Sequence, residues 1–403
     1  MAFATIGTKG IEDAAIATAD IADDAVTSGK IASGVVPALR PNVNPLIING
    51  DMAVAQRGTS KTSIAGGGYY TIDKFDVNNA GAFIGTWTQT QESLSSGDSF
   101  ADGFAKSLKM DCTTANGSPA ANSQCRLDYK FEGLDVQSLK HGTANAEKTT
   151  LSFWIKATKT GTNVVRMYKP DADRSCSQAY TVSTTNTWEK KVLNFPADTS
   201  GTVIANDNTM GLQMTFGIAM GSNNTSGTLQ TTWGANTSAN DYVGQVNNAD
   251  STSNNWEITG VQLEVGEYTS STLPPFQHES FGDNLERCER YYQVIGTGTR
   301  ADNKMYYSAY NVDGTSTMFG TFNFRTTMRA EPSLDQTSGT NYYTFNCNNA
   351  SDDFDGVNGI RGGIHGTLLY LSGGSSVGSS NAGMGGSVLG KDASSHVALS
   401  AEL

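Results

Sequence analysis

Hydrolysis of a glycosidic bond needs two carboxyl groups beside the bond, one to donate a proton and one to attack or to activate water. Two acidic groups in the sequence could be nominated for that work: Asp171 with Asp173, and Asp352 and Asp353 with Asp355. Acidic residues among small polar neighbours more often form turns, and nothing in the sequence sets either group across a sugar linkage. The four histidines, His141, His278, His365 and His396, stand outside any nucleophile or metal motif, and GxSxG, HExxH and P-loop patterns are absent. No catalytic residue, metal ligand or cofactor is assigned, and the chain is expected not to be an enzyme.

Sugar can also be held without being cut. A flat aromatic ring covers the apolar face of a pyranose while amides bond its hydroxyls. Trp87 and Trp233, set among Gly, Thr and Asn, are candidates for this role, as are Tyr342 and Tyr343 further along. The competing role for each is core packing, which large aromatics more often serve.

The elements that must carry these residues follow from composition. Gly, Ser, Thr and Asn make 160 of the 403 residues, while charged residues are only 16% and aromatics 9%. Such a chain has turn formers in excess and enough rings for cores, which favours many short strands over helices. A formal charge of −12, with no basic run, argues against nucleic acid as a partner. No window of 18 apolar residues occurs and the first residues carry no leader pattern, so neither membrane insertion nor secretion is expected. Cys112, Cys125, Cys176, Cys288 and Cys347 show neither CxxC pairs nor zinc-ligand spacing. They read as reduced structural thiols made in a reducing cytosol.

Ile6, Ile11, Ile16, Ile21, Val26, Ile31 and Val36 repeat at an unbroken spacing of five. A step of five spreads side chains round an α-helix and alternates the faces of a strand, so neither element buries this set. The residues between are small and polar, and the row must find its partners outside the segment. Three parallel copies in register would bring the row onto a shared axis, making a homotrimeric stem. Pro37, Pro41 and Pro45 end the pattern, which divides the chain into a stem over 1–44 and domains over 45–282 and 283–403.

From 45 to about 280, short strand-like runs alternate with turns. Examples are Tyr69 to Phe75, Leu151 to Lys156, Trp188 to Val192 and Trp256 to Val265. Their spacing predicts an antiparallel β-sandwich, most simply a jelly roll. Three features, Leu46-Ile47-Ile48-Asn49-Gly50-Asp51-Met52, Gln56-Arg57-Gly58 and Tyr70-Thr71-Ile72-Asp73-Lys74-Phe75, resemble the opening of a sandwich domain in tail-fibre proteins of tailed bacteriophages. Gly260-Val261-Gln262-Leu263-Glu264-Val265-Gly266 and Pro275 to Gly282 are similar to that family's later motifs, and Ile21 to Ile31 resembles its stems. The sandwich also resembles jelly-roll carbohydrate-binding modules, some of which hold calcium through an acidic residue at the position that is Ala53 here. The usual ligand is missing, and Asp51 reads as a turn residue.

This resemblance implies a virion tail protein, assembled in the host cytoplasm. It would attach through its amino-terminal segment to the tail or to an adaptor or nozzle protein, and bind a host-surface polysaccharide or lipopolysaccharide without catalysis. The alternatives are a glycan-depolymerising tailspike and a head fibre or decoration protein with no receptor role.

Asp283 with Glu286 predicts an N-cap and capping box, opening a short helix with Leu285, Cys288 and Tyr292 on one face and Glu286, Arg287, Glu289 and Arg290 outward. Beyond it, runs such as Met305 to Tyr307, Thr317 to Phe324, Asn341 to Phe345 and Gly366 to Leu371 predict a smaller β-sandwich, with Val397 to Leu403 pinned as a strand. Ser372 to Gly390, rich in Gly and Ser, reads as a long exposed loop.

Overall fold

The computed structural model describes residues 44–298, 305–312, 318–348, 350–372 and 382–403. The row Ile6 to Val36, and with it the trimeric stem, lies outside the described residues. Among those described, no helix is long and apolar enough to cross a membrane.

The first half of the chain supplies β1 (Ser60–Ile64), β2 (Phe75–Asn78), β3 (Thr86–Ser93), a one-turn α1 (Asp98–Ala101), β4 (Lys106–Thr114), β5 (Gln124–Glu132) and β6 (Thr149–Ala157). It continues with β7 (Gly161–Lys169), β8 (Arg174–Val182), β9 (Glu189–Phe195), β10 (Met210–Met220), β11 (Gly234–Ala235) and β12 (Asn255–Val265). These pair into two six-stranded sheets, ordered β1-β3-β4-β12-β6-β9 and β11-β8-β7-β10-β5-β2. The chain changes sheet at most connections, so the strands form a jelly-roll sandwich and not two separate meanders.

Alternation in the strands fills the space between the sheets. Leu151, Phe153 and Ile155 of β6 face Phe216 of β10 and Tyr180 of β8, with Phe153 meeting each ring edge-on at centroid distances of 5.1 and 5.0 Å. Each fully buried ring of this kind contributes roughly 1.5–3 kcal/mol. The intervening Trp154 points the other way and is covered by Phe104 and Trp188, which is why β6 is buried on both faces. All five cysteines are buried and unbridged.

The run from Tyr69 to Phe75 is not the strand its composition suggests. Only Phe75 enters β2, because Lys74 adopts φ +74° and breaks the extended path just before it.

The helix is present as α2 (Phe281–Glu289), starting three residues earlier than expected. Ser280 is the N-cap: its hydroxyl accepts from the Asp283 amide at 3.2 Å and donates to the Asp283 carboxylate at 2.7 Å. The capping pair is therefore Ser280 with Asp283, not Asp283 with Glu286. Glu289 is buried and paired with Arg325 instead of facing outward. Tyr292 has left the helix, and Tyr291 takes the expected place beside Cys288 and Leu285.

The second half forms β13 (Tyr292–Thr297), β14 (Met305–Asn311), β15 (Met318–Asn323), β16 (Ser333–Gln336), β17 (Tyr343–Cys347), β18 (Ala350–Phe354), β19 (Gly356–Gly362), β20 (Gly366–Ser372), β21 (Gly385–Gly390) and β22 (His396–Ser400). A three-stranded sheet, β13-β22-β16, packs on a seven-stranded one, β18-β17-β21-β14-β15-β20-β19. Their shared core holds Ile295, Val397 and Leu399 against Tyr307, Phe345, Leu369 and Val388.

One expectation fails here for a physical reason. Gly385–Gly390, part of the anticipated loop, is an interior strand paired with both β14 and β17. A Cβ at Gly386 would stand 2.2 Å from the Asn346 carbonyl oxygen, so glycine is what lets the neighbouring strand approach.

Candidate ligand-binding surface

The proposed sugar contacts separate once burial is known. Trp87 is fully buried in the first core, its Nε1 donating to the Ile84 carbonyl at 2.8 Å. Tyr343 is likewise buried, and its hydroxyl donates within the second core, lying 2.8 Å from the His396 carbonyl. Neither can meet a ligand, because β3 and β17 turn these side chains between their sheets. Both assignments are corrected to core packing.

Trp233 is half-buried, with Nε1 donating to the Pro196 carbonyl at 2.8 Å and its ring edge-on to His141. Burial depresses the His141 pKa to about 4, so this neighbour is neutral at physiological pH. Tyr342 is half-buried beside Gly339, where its main-chain oxygen accepts from the Lys391 amide and the Ser395 hydroxyl. Both rings close loops onto sheets, and the structure does not bring the four proposed aromatics together.

A different set is brought together. Along β14, Tyr307 and Ala309 point into the core while Tyr310 points out, 47% exposed. Tyr310 stands directly opposite Phe319 on β15, Phe319 opposite Tyr370 on β20, and Tyr370 opposite Asn358 on β19. Residues opposite one another in antiparallel strands share a face. The result is one row of three rings across the outer face of the seven-stranded sheet, with centroids 6.2 and 6.1 Å apart and ring planes tilted by 55° and 77°. Asn358 ends the row as an exposed amide, and no member of the row is charged.

Burial pushes the phenols of Tyr306 and Tyr307 well above the usual tyrosine range, as expected of rings that serve packing. In the row, Tyr310 is exposed while Phe319 and Tyr370 are half-buried on the outer face of the sheet. Such a row can cover apolar sugar faces in succession while its flanking amide and phenol groups bond hydroxyls.

The acidic groups have structural partners. Asp171 Oδ2 accepts from the Ala205 amide at 2.8 Å and Asp173 Oδ1 from the Tyr168 hydroxyl at 3.1 Å. Asp353 pairs with Lys391, and Asp355 Oδ1 accepts from the Asn341 amide at 3.0 Å. Among the described residues, no group of three or more His, Cys, Asp or Glu is placed to hold a metal ion.

The three rings of the row were within reach of sequence reasoning only in part. Their strands were visible as apolar runs, but which residue of each run faces out depends on register between strands distant in sequence.

No protein-family model matches the chain, and no curated protein is significantly similar to it in sequence. Among solved structures it shows partial likeness to the enzymatically active domain of tailspike protein 4 of bacteriophage CBA120, at 11% identity and a TM-score of 0.27 over 55% of this chain. That likeness spans 21% of the tailspike chain. A candidate sugar-binding protein from Bacteroides thetaiotaomicron is matched over its whole length and 55% of this chain, at 13% identity and a TM-score of 0.32. The tandem CBM22 domain of Xyn10C from Paenibacillus barcinonensis is matched over 93% of its length and 91% of this chain, at 10% identity and a TM-score of 0.25. TM-scores this low carry no functional argument.

Proposed function

We propose that this chain is a non-catalytic glycan-binding protein of a phage tail fibre, and that the outer face of its second sandwich contacts host-surface polysaccharide or lipopolysaccharide. The observation that carries the binding reading is the outward-facing row Tyr310, Phe319 and Tyr370, with Tyr310 exposed and the other two half-buried, set in register on three paired strands. Rings of this size are normally withdrawn into cores, and a row of them left outward on a rigid sheet suits stacking on a chain of sugars. The fibre reading rests on the sequence motifs from Leu46 to Phe75 and Gly260 to Gly282 and on the five-residue aliphatic row. A homotrimer, anchored to the tail through the amino-terminal segment, would present three copies of the surface and convert weak single contacts into firm attachment.

Retention of the full-length protein on immobilised host lipopolysaccharide or capsule tests the binding reading. Retention without release of reducing sugar ends is expected. Release of reducing ends would replace adhesion with depolymerisation, and failure to bind either host glycan would reject glycan binding. Light scattering of the full-length chain tests the assembly, for which a monomer would reject the trimeric fibre.

A further inference from the structure

A cleft of about 610 Å³ lies between the two sandwiches, walled by Arg57, Lys61 and Tyr70 on one side and by Tyr292, Asp335 and His396 on the other. That size falls within the roughly 300–1,000 Å³ usual for small-molecule sites. The second wall is fixed by its own bonds. The Tyr292 hydroxyl donates to Asp335 Oδ2 at 2.7 Å and lies 2.8 Å from His396 Nε2. With the phenol proton directed at Asp335, Nε2 must carry the hydrogen that bonds the phenol oxygen. The Arg57 guanidinium lies 3.4 Å from the Tyr292 ring centroid and is itself held by Glu402 at 3.1 Å, which clamps the ring in place.

Two opposite charges remain available to a ligand. Lys61 is exposed on β1, at the edge of its sheet, and has no bonding partner among the described residues. The Asp335 side chain is 49% exposed, with Oδ2 engaged and the rest of the carboxylate open to the cleft. A cation on one wall and an anion on the other favour neither an acidic nor a basic ligand. A neutral polyol, by contrast, can donate one hydroxyl to Asp335 and accept from Lys61 with another, and both bonds are charge-assisted. Tyr70, half-buried at the rim, adds an aromatic surface for an apolar ring face.

We propose that this cleft is a second saccharide site that takes a single uncharged pyranose, separate from the extended row of Tyr310, Phe319 and Tyr370. It rests on the reading of the chain as a glycan binder and divides that role in two: the row covers a length of chain, and the cleft holds one sugar unit between the sandwiches. Arg57, Tyr292 and His396 are positioning residues here, while Lys61 and Asp335 make the contacts.

Saturation-transfer difference NMR on the full-length protein tests this, with methyl β-D-galactopyranoside, methyl β-D-glucopyranoside and N-acetyl-D-glucosamine as probes. At least one sugar should give a signal, weakened about tenfold or more by Lys61→Ala and by Asp335→Asn and unchanged by Lys148→Ala, an exposed change outside the cleft. Lys61 is exposed and unpaired, so its variant keeps the fold. Silence from all three sugars, or equal signals from wild type and both cleft variants, would overturn the site. Preference for D-glucuronate over the neutral sugars would overturn the uncharged assignment. If the cleft signal persists while retention on host polysaccharide is insensitive to Tyr310→Ala, the row fails and the cleft stands; the reverse pattern removes the cleft alone.

Discussion

Arg290 and Glu132 join the two sandwiches by a two-pronged ion pair, Nε to Oε1 at 2.7 Å and Nη2 to Oε2 at 2.6 Å. Glu132, the last residue of β5, is almost fully buried, and the Tyr291 hydroxyl adds a third bond to Oε1 at 2.6 Å. Removing one partner of a buried pair strands the other charge, a loss of about 3–5 kcal/mol, but the Arg290 side chain is a third exposed and water offsets part of that. Arg290→Ala should therefore lower stability by about 2 kcal/mol, read from the urea midpoint. Lys148→Ala, which breaks a pair with Glu267 exposed by more than half on both sides, should stay within about 0.5 kcal/mol. Equal effects of the two would refute the seam as a site of stored stability.

Tyr310 is the most exposed ring of the outer row and is not part of either core. Tyr310→Ala should weaken retention on host polysaccharide about tenfold, as loss of an aromatic anchor from a contact commonly does. Thermal stability should barely move, since substitutions at exposed positions usually cost under about 0.5 kcal/mol. A melting shift of many degrees together with lost binding would mean that the ring serves the fold.

The two-sandwich architecture was legible because runs such as Trp256 to Val265 alternate strongly and are bounded by turns, a pattern that few other elements share. Register was not. Tyr343 and Tyr310 both sit in aromatic strand runs, yet one is buried and the other exposed, because each strand's partners decide which alternate residues face in. Trp87, flanked by Thr86 and Thr88, looked like a surface ring and is core, since those threonines occupy the opposite face of β3 while Gln89 is buried on the same face as Trp87. The helix start at Ser280 was missed by three residues because Ser-x-x-Asp and Asp-x-x-Glu overlap in the same stretch, and only the first is satisfied in space.

Asp73 is fully buried beside Arg57 and Gln56, and desolvation is the largest influence on its carboxyl, lifting its pKa from the ordinary 3.8 to about 6. The folded chain then holds a proton that the unfolded chain has released between about pH 4 and 6. Stability from this residue is present at the acid end and is lost as pH rises through the folded pKa. His141 acts oppositely: its folded pKa of about 4 means stability is gained as pH rises from about 4 through 6.5. The wild-type profile blends the two, so the measurement is a comparison. Relative to Asp73→Asn, wild type should lose on the order of 2 kcal/mol between pH 4 and 7 in chemical denaturation. Parallel profiles would show that Asp73 does not carry the proton.

Gly386 offers the sharpest test of why β21 was mistaken for a loop. The strand lies between β14 and β17, and its Cβ positions meet main chain and not solvent: 2.2 Å to the Asn346 carbonyl oxygen and 2.7 Å to the Phe345 ring. A carbonyl in a paired strand cannot withdraw without giving up its ladder bond, so even one methyl group forces the sheet apart. Gly386→Ala should cost about 3 kcal/mol, at the upper end of core overpacking. Gly363→Ala is the control, because nothing lies within 4 Å of the added carbon there. It should be neutral, or slightly stabilising through the unfolded chain. If both variants melt alike, the glycines of Gly385–Gly390 are spacing residues of a flexible segment after all. If only Gly386→Ala falls, the composition that suggested a loop is instead what allows three strands to close on the interior of the seven-stranded sheet.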